Sequence, residues 1–236
     1  MSNKQYRNEW KYIVTNEYLA IIESRLKTVL QLDENAANDG KYEVHSLYFD
    51  DIYDTCMRDH NHGTSQRFNY RIRYYGSNPE FMRLERKEKL SERCHKESCV
   101  IDIQQYNKII DGEIEDVLWN TDNPILKQFC VHCLTRGFTP KAIIDYERVA
   151  YVEPISNVRI TLDTNLSVAN EFEDFLTGNY IRMPIQESKK QVLEAKFDYI
   201  LPSYIRHVLT SEELVRTSLS KYSLGRKQLR RKGFLS

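Results

Sequence analysis

The sequence predicts an α+β chain that is mainly antiparallel β: eight strands closed into one barrel, with helices at the periphery. Three observations predict it. About eight runs alternate in polarity, are rich in β-formers and are mostly joined by short turns. Gly (8) and Pro (6) are scarce, and neither a repeat nor a composition shift marks a boundary, so 1–236 reads as one domain. Sixteen Tyr against two Trp suit half-buried strand positions.

Taken in order, Arg7–Val14 reads as a strand. Glu17–Leu32 carries Leu19, Ile22, Leu26 and Leu30 at helical spacing, with Asn16 as the N-cap. Asp33–Lys41 is a polar loop, Tyr42–Asp50 an alternating strand, and Asp51–Gln66 a loop or short helix. Phe68–Tyr75, Phe81–Lys89 and His95–Ile103 are strands. Gln104–Trp119 is helical with a break at Asp111–Gly112, and Pro124–Gly137 is a helix ended by its glycine. Lys141–Glu153 and Val158–Val168 pair across the turn at Pro154–Asn157. Gln191–Tyr199 is the last strand. Pro202 then opens three helical segments, Ser203–Leu209, Glu212–Leu219 and Lys221–Arg231.

Composition narrows the function. Lys+Arg and Asp+Glu are both 34, so a chain built to coat nucleic acid is disfavoured. No run approaches the ~18 apolar residues of a membrane span, and the N-terminus has no apolar core; a cytoplasmic protein is the expectation. Five cysteines with no signal argue against a disulfide framework.

The chemistry lies in the strand faces, because a strand points alternate side chains to opposite sides. One face of the first strand holds Arg7, Glu9 and Lys11. Later strands hold Arg71, Arg73 and Tyr75; Arg83, Glu85, Lys87 and Lys89; Tyr146 and Arg148; Arg159, Thr161 and Asp163; Glu194 and Lys196. The opposite faces are apolar: Trp10, Tyr12, Val14; Ile72, Tyr74; Ile160, Leu162; Leu193, Phe197. Taken singly, each polar face is the solvent side of an ordinary sheet. Taken together, they are mostly Arg and Lys with carboxylates interleaved at two-residue spacing, and the helices are few for covering eight apolar faces. The alternative is a barrel with a charged lumen, which needs interleaved acids and a bound polyanion. Arg suits phosphate oxygens, Lys adds a compact charge, and carboxylates can hold Mg2+ or Mn2+ against phosphate. No Gly-rich cradle is present, so side chains would hold the phosphates.

Eight motifs in register carry a resemblance. They are Glu9-x-Lys11-Tyr12, Ser46-Leu-Tyr-Phe-Asp50, Arg71-x-Arg73-Tyr-Tyr-Gly76, Leu84-Glu85-x-Lys87, Tyr146-x-Arg148-x-Ala150-Tyr151, Val158-Arg159-Ile-Thr-Leu-Asp163, Val192-Leu193-Glu194-x-Lys196 and Ser220-Lys221-Tyr222. Over about residues 7–225 the chain resembles the VTC domain, the polyphosphate polymerase domain of vacuolar transporter chaperone complexes, within the triphosphate tunnel metalloenzymes. The resemblance implies an eight-stranded tunnel barrel with a C-terminal helix near the tunnel. It implies transfer of the ATP γ-phosphate to a growing polyphosphate chain with a divalent metal, Mn2+ or Mg2+. By the same resemblance Lys11, Arg71, Arg73, Lys87, Arg148 and Arg159 grip phosphates and Lys221 floors the tunnel. Lys96, Glu9, Glu85, Lys196 and Tyr146 contact substrate, and Glu194 holds the metal.

Two positions depart from the family. The triphosphatase and cyclase branch begins E-x-E-x-K, and Arg7 stands at its first position here. Polymerases carry a base three residues before the SKY lysine, where this chain has Ser218. Hydrolysis of tripolyphosphate or a nucleoside triphosphate in the same tunnel, and a non-catalytic polyphosphate sensor, are the competing readings. Nucleic acid is not an expected partner. There is no transmembrane segment, and a membrane-protein partner is left open.

Other motifs read blandly. Cys130-x-x-Cys133 with His132 reads as structural thiols rather than zinc, and His60-Asn-His62 as an exposed loop. Arg226–Lys232, five basic residues in seven, opens the tail at 226–236. It reads as a solvated helix face or a lure for polyanions at a tunnel mouth.

Overall fold

The computed structural model of the protein describes residues 5–34, 40–185, 190–210 and 214–234. Strand β1 (Arg7–Thr15) runs directly into α1 (Asn16–Val29) and the short β2 (Gln31–Leu32). Then come β3 (Lys41–Asp50), α2 (Thr55–Asn61), β4 (Gln66–Tyr75), β5 (Asn78–Leu90) and β6 (Arg93–Ile101). Helices α3 (Ile103–Asp111), α4 (Ile114–Trp119) and α5 (Pro124–Arg136) lead to β7 (Thr139–Glu153) and β8 (Val158–Ala169). The short β9 (Met183–Pro184), β10 (Lys190–Phe197), α6 (Ser203–Val208) and α7 (Lys221–Arg231) follow.

Eight strands form a ring in the order β7-β3-β4-β5-β6-β1-β10-β8, and β8 pairs back onto β7. Every pairing is antiparallel; β2 and β9 extend β7 and β8. The ring is thinnest between β1 and β6, which share only Arg7↔Cys94 and Asn8↔Arg93. Beyond that seam the second edge of β1 is taken by the segment before α7. Tyr12 bridges Arg216, and the Thr217 N–H donates to the Lys11 carbonyl at 2.9 Å.

The apolar strand faces point outward, and helices do cover them. α1 and α6 lay Leu19, Ile22, Leu26 and Ile205 onto Ile160, Leu162, Leu193 and Phe197. On the other side Tyr106, Ile109, Leu126 and Phe129 from α3 and α5 pack onto Leu47, Ile72, Leu84 and Ile101. Seventeen buried residues on the first side suffice because each helix presents one apolar stripe to several strands. The lumen is therefore left to the charged faces. α7 narrows one end of it: Tyr222 stacks on Tyr48 with centroids 5.2 Å apart, and Gly225 lies against Ile144 and Val168 with no room for a Cβ.

Several local expectations change. Thr15, not Asn16, caps α1, accepting from the Tyr18 N–H at 3.2 Å, because strand and helix abut without a loop. The strand expected over His95–Ile103 ends at Ile101, since Asp102 caps α3 through a capping box with Gln105. The helix expected over Glu212–Leu219 is absent from 214–219, which is drawn out along β1; Glu212 lies outside the described residues. Gly137 ends α5 with φ 66°, as its sequence position predicts.

Candidate functional site

Strand alternation brings the cations of seven strands into one lumen. A cavity of about 1010 Å3 opens at the end holding Arg7, Tyr42, Lys96 and Arg159. A smaller one of about 90 Å3 lies at the end floored by Lys221 and Tyr222. Glu9, Arg71, Arg73, Lys87, Arg148 and Lys196 line both, so the two are ends of one passage.

Four buried carboxylates organise the cations. Glu9 accepts from Lys87 Nζ at 2.7 and 2.8 Å and pairs with Lys11 at 3.1 Å. Glu194 lies 2.7 Å from Lys196 and 3.6 Å from Lys11. Glu85 takes Arg71 at 2.6 Å and Lys96 at 2.7 Å. Asp163, fully buried, accepts from Arg148 Nε at 2.6 Å and Nη2 at 2.8 Å and pairs with Lys221 at 2.7 Å. Hydroxyls set the arginine planes: Tyr48 accepts from Arg71, and Ser46 and Tyr146 accept from Arg73, all at 2.9 Å. Arg159 donates to Tyr42 at 3.1 Å and pairs with Asp33.

Burial and Glu194 push the Glu9 carboxyl up, but Lys11, Lys87 and Lys196 outweigh them and hold it well below its ordinary range. Burial opposes ionisation of Glu194 too, and Lys196, Lys11, Lys87 and Lys221 override it. Burial raises the Tyr48 phenol, yet Arg71, Arg73 and Lys221 bring it down to about 8. Lys196 goes the other way: burial, Lys87 and Arg148 lower it against Glu194 and Glu9. Glu9 and Glu194 are thus held ionised in the lumen.

Glu9 and Glu194 stand diagonally across the β1–β10 register and supply hard, ionised oxygen donors. Among the described residues no group of three or more His, Cys, Asp or Glu is placed to hold a metal. Hard, ionised carboxylate oxygens of this kind would suit a divalent cation.

A family model, the VTC domain, matches residues 6–230. The chain belongs to the VTC domain family. Solved structures carry the same fold at low identity. HpAC1 from Hippeastrum, described as an adenylyl cyclase with a dominant triphosphatase activity, aligns with TM-score 0.57 at 15% identity over 94% of this chain and 96% of that one. The PH1012 protein of Pyrococcus horikoshii OT3 aligns with TM-score 0.50 at 15% identity over 92% and 98%. These likenesses are of fold. No curated protein matches the chain in sequence.

Within this VTC domain most residues marked by the motifs converge. Lys11, Arg71, Arg73, Lys87, Tyr146, Arg148, Glu194, Lys196 and Lys221 line the inner lumen with Glu9, while Lys96 and Arg159 line the wide mouth. Glu85 lines neither cavity; it sits behind Arg71 and Lys96 as their counter-ion. Ser218 is exposed and also lines neither. Asp163 and Tyr48 are the organising groups the motifs left without a role. Face alternation placed Asp163 on the polar side, but its hold on Arg148 needs the β7–β8 register.

Two surface readings change as well. His60 is not in an exposed loop; it lies on α2 and lines the smaller cavity. Arg226 in the basic tail is buried, donating at 2.8 Å to each oxygen of Asp54. Cys130 and Cys133 are buried free thiols on the core face of α5. No helix among the described residues is long and apolar enough to cross a membrane.

Proposed function

We propose that the protein is a metal-dependent polyphosphate polymerase that transfers the ATP γ-phosphate onto a polyphosphate chain held in the lumen. The observation that carries the reading is the passage itself: one lumen, two mouths and a continuous wall of Arg and Lys around Glu9 and Glu194. Transfer forms a bond from a terminal phosphate oxygen to the γ-phosphorus and breaks the bond to the β-bridging oxygen, which leaves with ADP. The acceptor oxygen is already ionised, so the site needs positioning and neutralisation rather than a strong base. Arg71, Arg73, Arg148 and Lys87 hold and orient the phosphates; Lys11 and Lys221 bring charge to the floored end. A divalent ion held by Glu194 and facing Glu9 would supply charge neutralisation when bound.

Hydrolysis of a triphosphate in the same lumen is the second reading. The fold shared with HpAC1, for which triphosphatase activity is described, favours it. The test incubates purified protein with ATP and Mn2+, and separately with tripolyphosphate. Long chains together with ADP support the polymerase, and orthophosphate alone moves the assignment to triphosphatase. Tight polyphosphate binding that needs Arg71 and Arg159 but gives no turnover makes it a sensor. Glu194→Gln abolishes the metal-dependent turnover; full activity in that variant removes Glu194 from the metal site.

A further inference from the structure

The smaller cavity holds three basic side chains that the central ring does not use. His60 on α2, Arg67 on β4 and Lys89 on β5 line it beside the floor made by α7. At the wide mouth each cation has an acid: Arg7 pairs with Asp198, Lys96 with Glu85 and Arg159 with Asp33. At the small end the pattern stops. Arg67 donates to the backbone carbonyl of Thr64, and among the described residues no carboxylate pairs with Arg67, Lys89 or His60.

The groups repel one another in consequence. Burial, Lys11 and Arg67 push the Lys89 ammonium below its ordinary range. Burial together with Arg67, Lys11, Lys89 and Lys227 brings the His60 imidazole down to about 4. Half-buried Arg67 and Lys89 without a paired carboxylate, beside a neutral His60 imidazole that can donate an N–H, are complementary to an anion. The cavity, about 90 Å3 and continuous with the central ring, is several times the ~10–15 Å3 that one water needs, so a phosphate group has room. Arg67 and Arg73 are six residues apart on β4, about 20 Å at ~3.3 Å per residue. That span exceeds a triphosphate group.

We propose that His60, Arg67 and Lys89 form a second phosphate-binding site, taking a phosphate of a linear polyphosphate that runs on past the central ring. The proposal rests on the reading that the central ring binds phosphates. It makes chain length, rather than the terminal triphosphate, the property sensed at the small mouth.

The experiment measures binding of tripolyphosphate, and of a linear polyphosphate tens of phosphates long, to the full chain at one fixed salt concentration. Arg67→Ala with Lys89→Ala raises the Kd of the long chain about tenfold or more and leaves tripolyphosphate within about twofold. Arg67→Lys with Lys89→Arg restores the long-chain affinity. Equal loss for both ligands, or no loss for either, overturns the second site while the central ring stands. A wild-type protein that binds neither ligand overturns the central reading and this one with it. Lys89→Gln alone carries the same comparison should the alanine pair unfold.

Discussion

Replacing Asp163 by Asn removes one charge and leaves two behind. The carboxylate is fully buried and holds Arg148 through two hydrogen bonds and Lys221 through a third contact. Burial works against its ionisation, yet Arg148 and Lys221 bring it from the ordinary 3.8 down to about 2. That shift is worth about 2 kcal/mol of stability at neutral pH, at 1.36 kcal/mol per unit. Stranding buried cations adds to it, and breaking a buried pair costs ~3–5 kcal/mol in other proteins. Asp163→Asn therefore lowers stability by about 3 kcal/mol, or ~6–12 °C in Tm for a domain of this size. The sign of the pH dependence follows. A carboxyl held below its unfolded value stabilises fully above 3.8 and loses that contribution as pH falls through about 2, so wild-type and variant melting curves converge on acidification. Tripolyphosphate, by supplying negative charge to the stranded pair, narrows the gap at neutral pH. Differential scanning calorimetry across pH, with and without ligand, reads all three effects. An unchanged Tm at neutral pH, or a deficit that stays constant down to pH 2, refutes the electrostatic account.

One further substitution and one reagent probe the scaffold. Gly225→Ala would ordinarily strengthen a helix by up to about 1 kcal/mol. Here its Cβ collides with Ile144 and comes within 3.1 Å of Val168, so urea unfolding shows a loss of ~1–3 kcal/mol and a displaced α7; a gain would mean the floor is loosely packed. The buried thiols are kept protonated: burial pushes Cys99 and Cys130 up to about 11, and Cys56 and Cys133 higher still. A disulfide reagent at neutral pH thus reacts with at most Cys94, which lines the wide cavity, until denaturant exposes all five. Rapid native reaction of Cys130 would contradict its placement in the core.

Much of the lumen was legible because side-chain period 2 is a one-dimensional signal. Glu9 and Lys11, Arg71 and Arg73, or Glu194 and Lys196 declare a shared face from spacing alone. What spacing cannot give is the register between strands. Face alternation puts Glu85 on the polar side, but only the register shows Arg71 standing opposite it as its ion-pair partner. His60 was illegible for another reason: its neighbours are polar, and only the docking of α2 against β4 and α7 carries it into the cavity. The segment before α7 failed as a helix because β1 offers an open edge past Asn8, and satisfying that edge outweighs weak local propensity.

The antiparallel partnership of β1 and β10 has a bearing on how the molecule is made. Asn8 faces Phe197 and Thr15 faces Lys190, so β1 must wait for a strand made much later in synthesis. Contacts of such sequence separation slow folding, and until they form both strands are open templates for aggregation. Glu194 and Lys196 arrive on that same late strand, and Lys221 later still. Chain closure and completion of the charged interior are therefore one event, and a ribosome-bound intermediate would hold Lys11 and Lys87 with only half of their counter-charge.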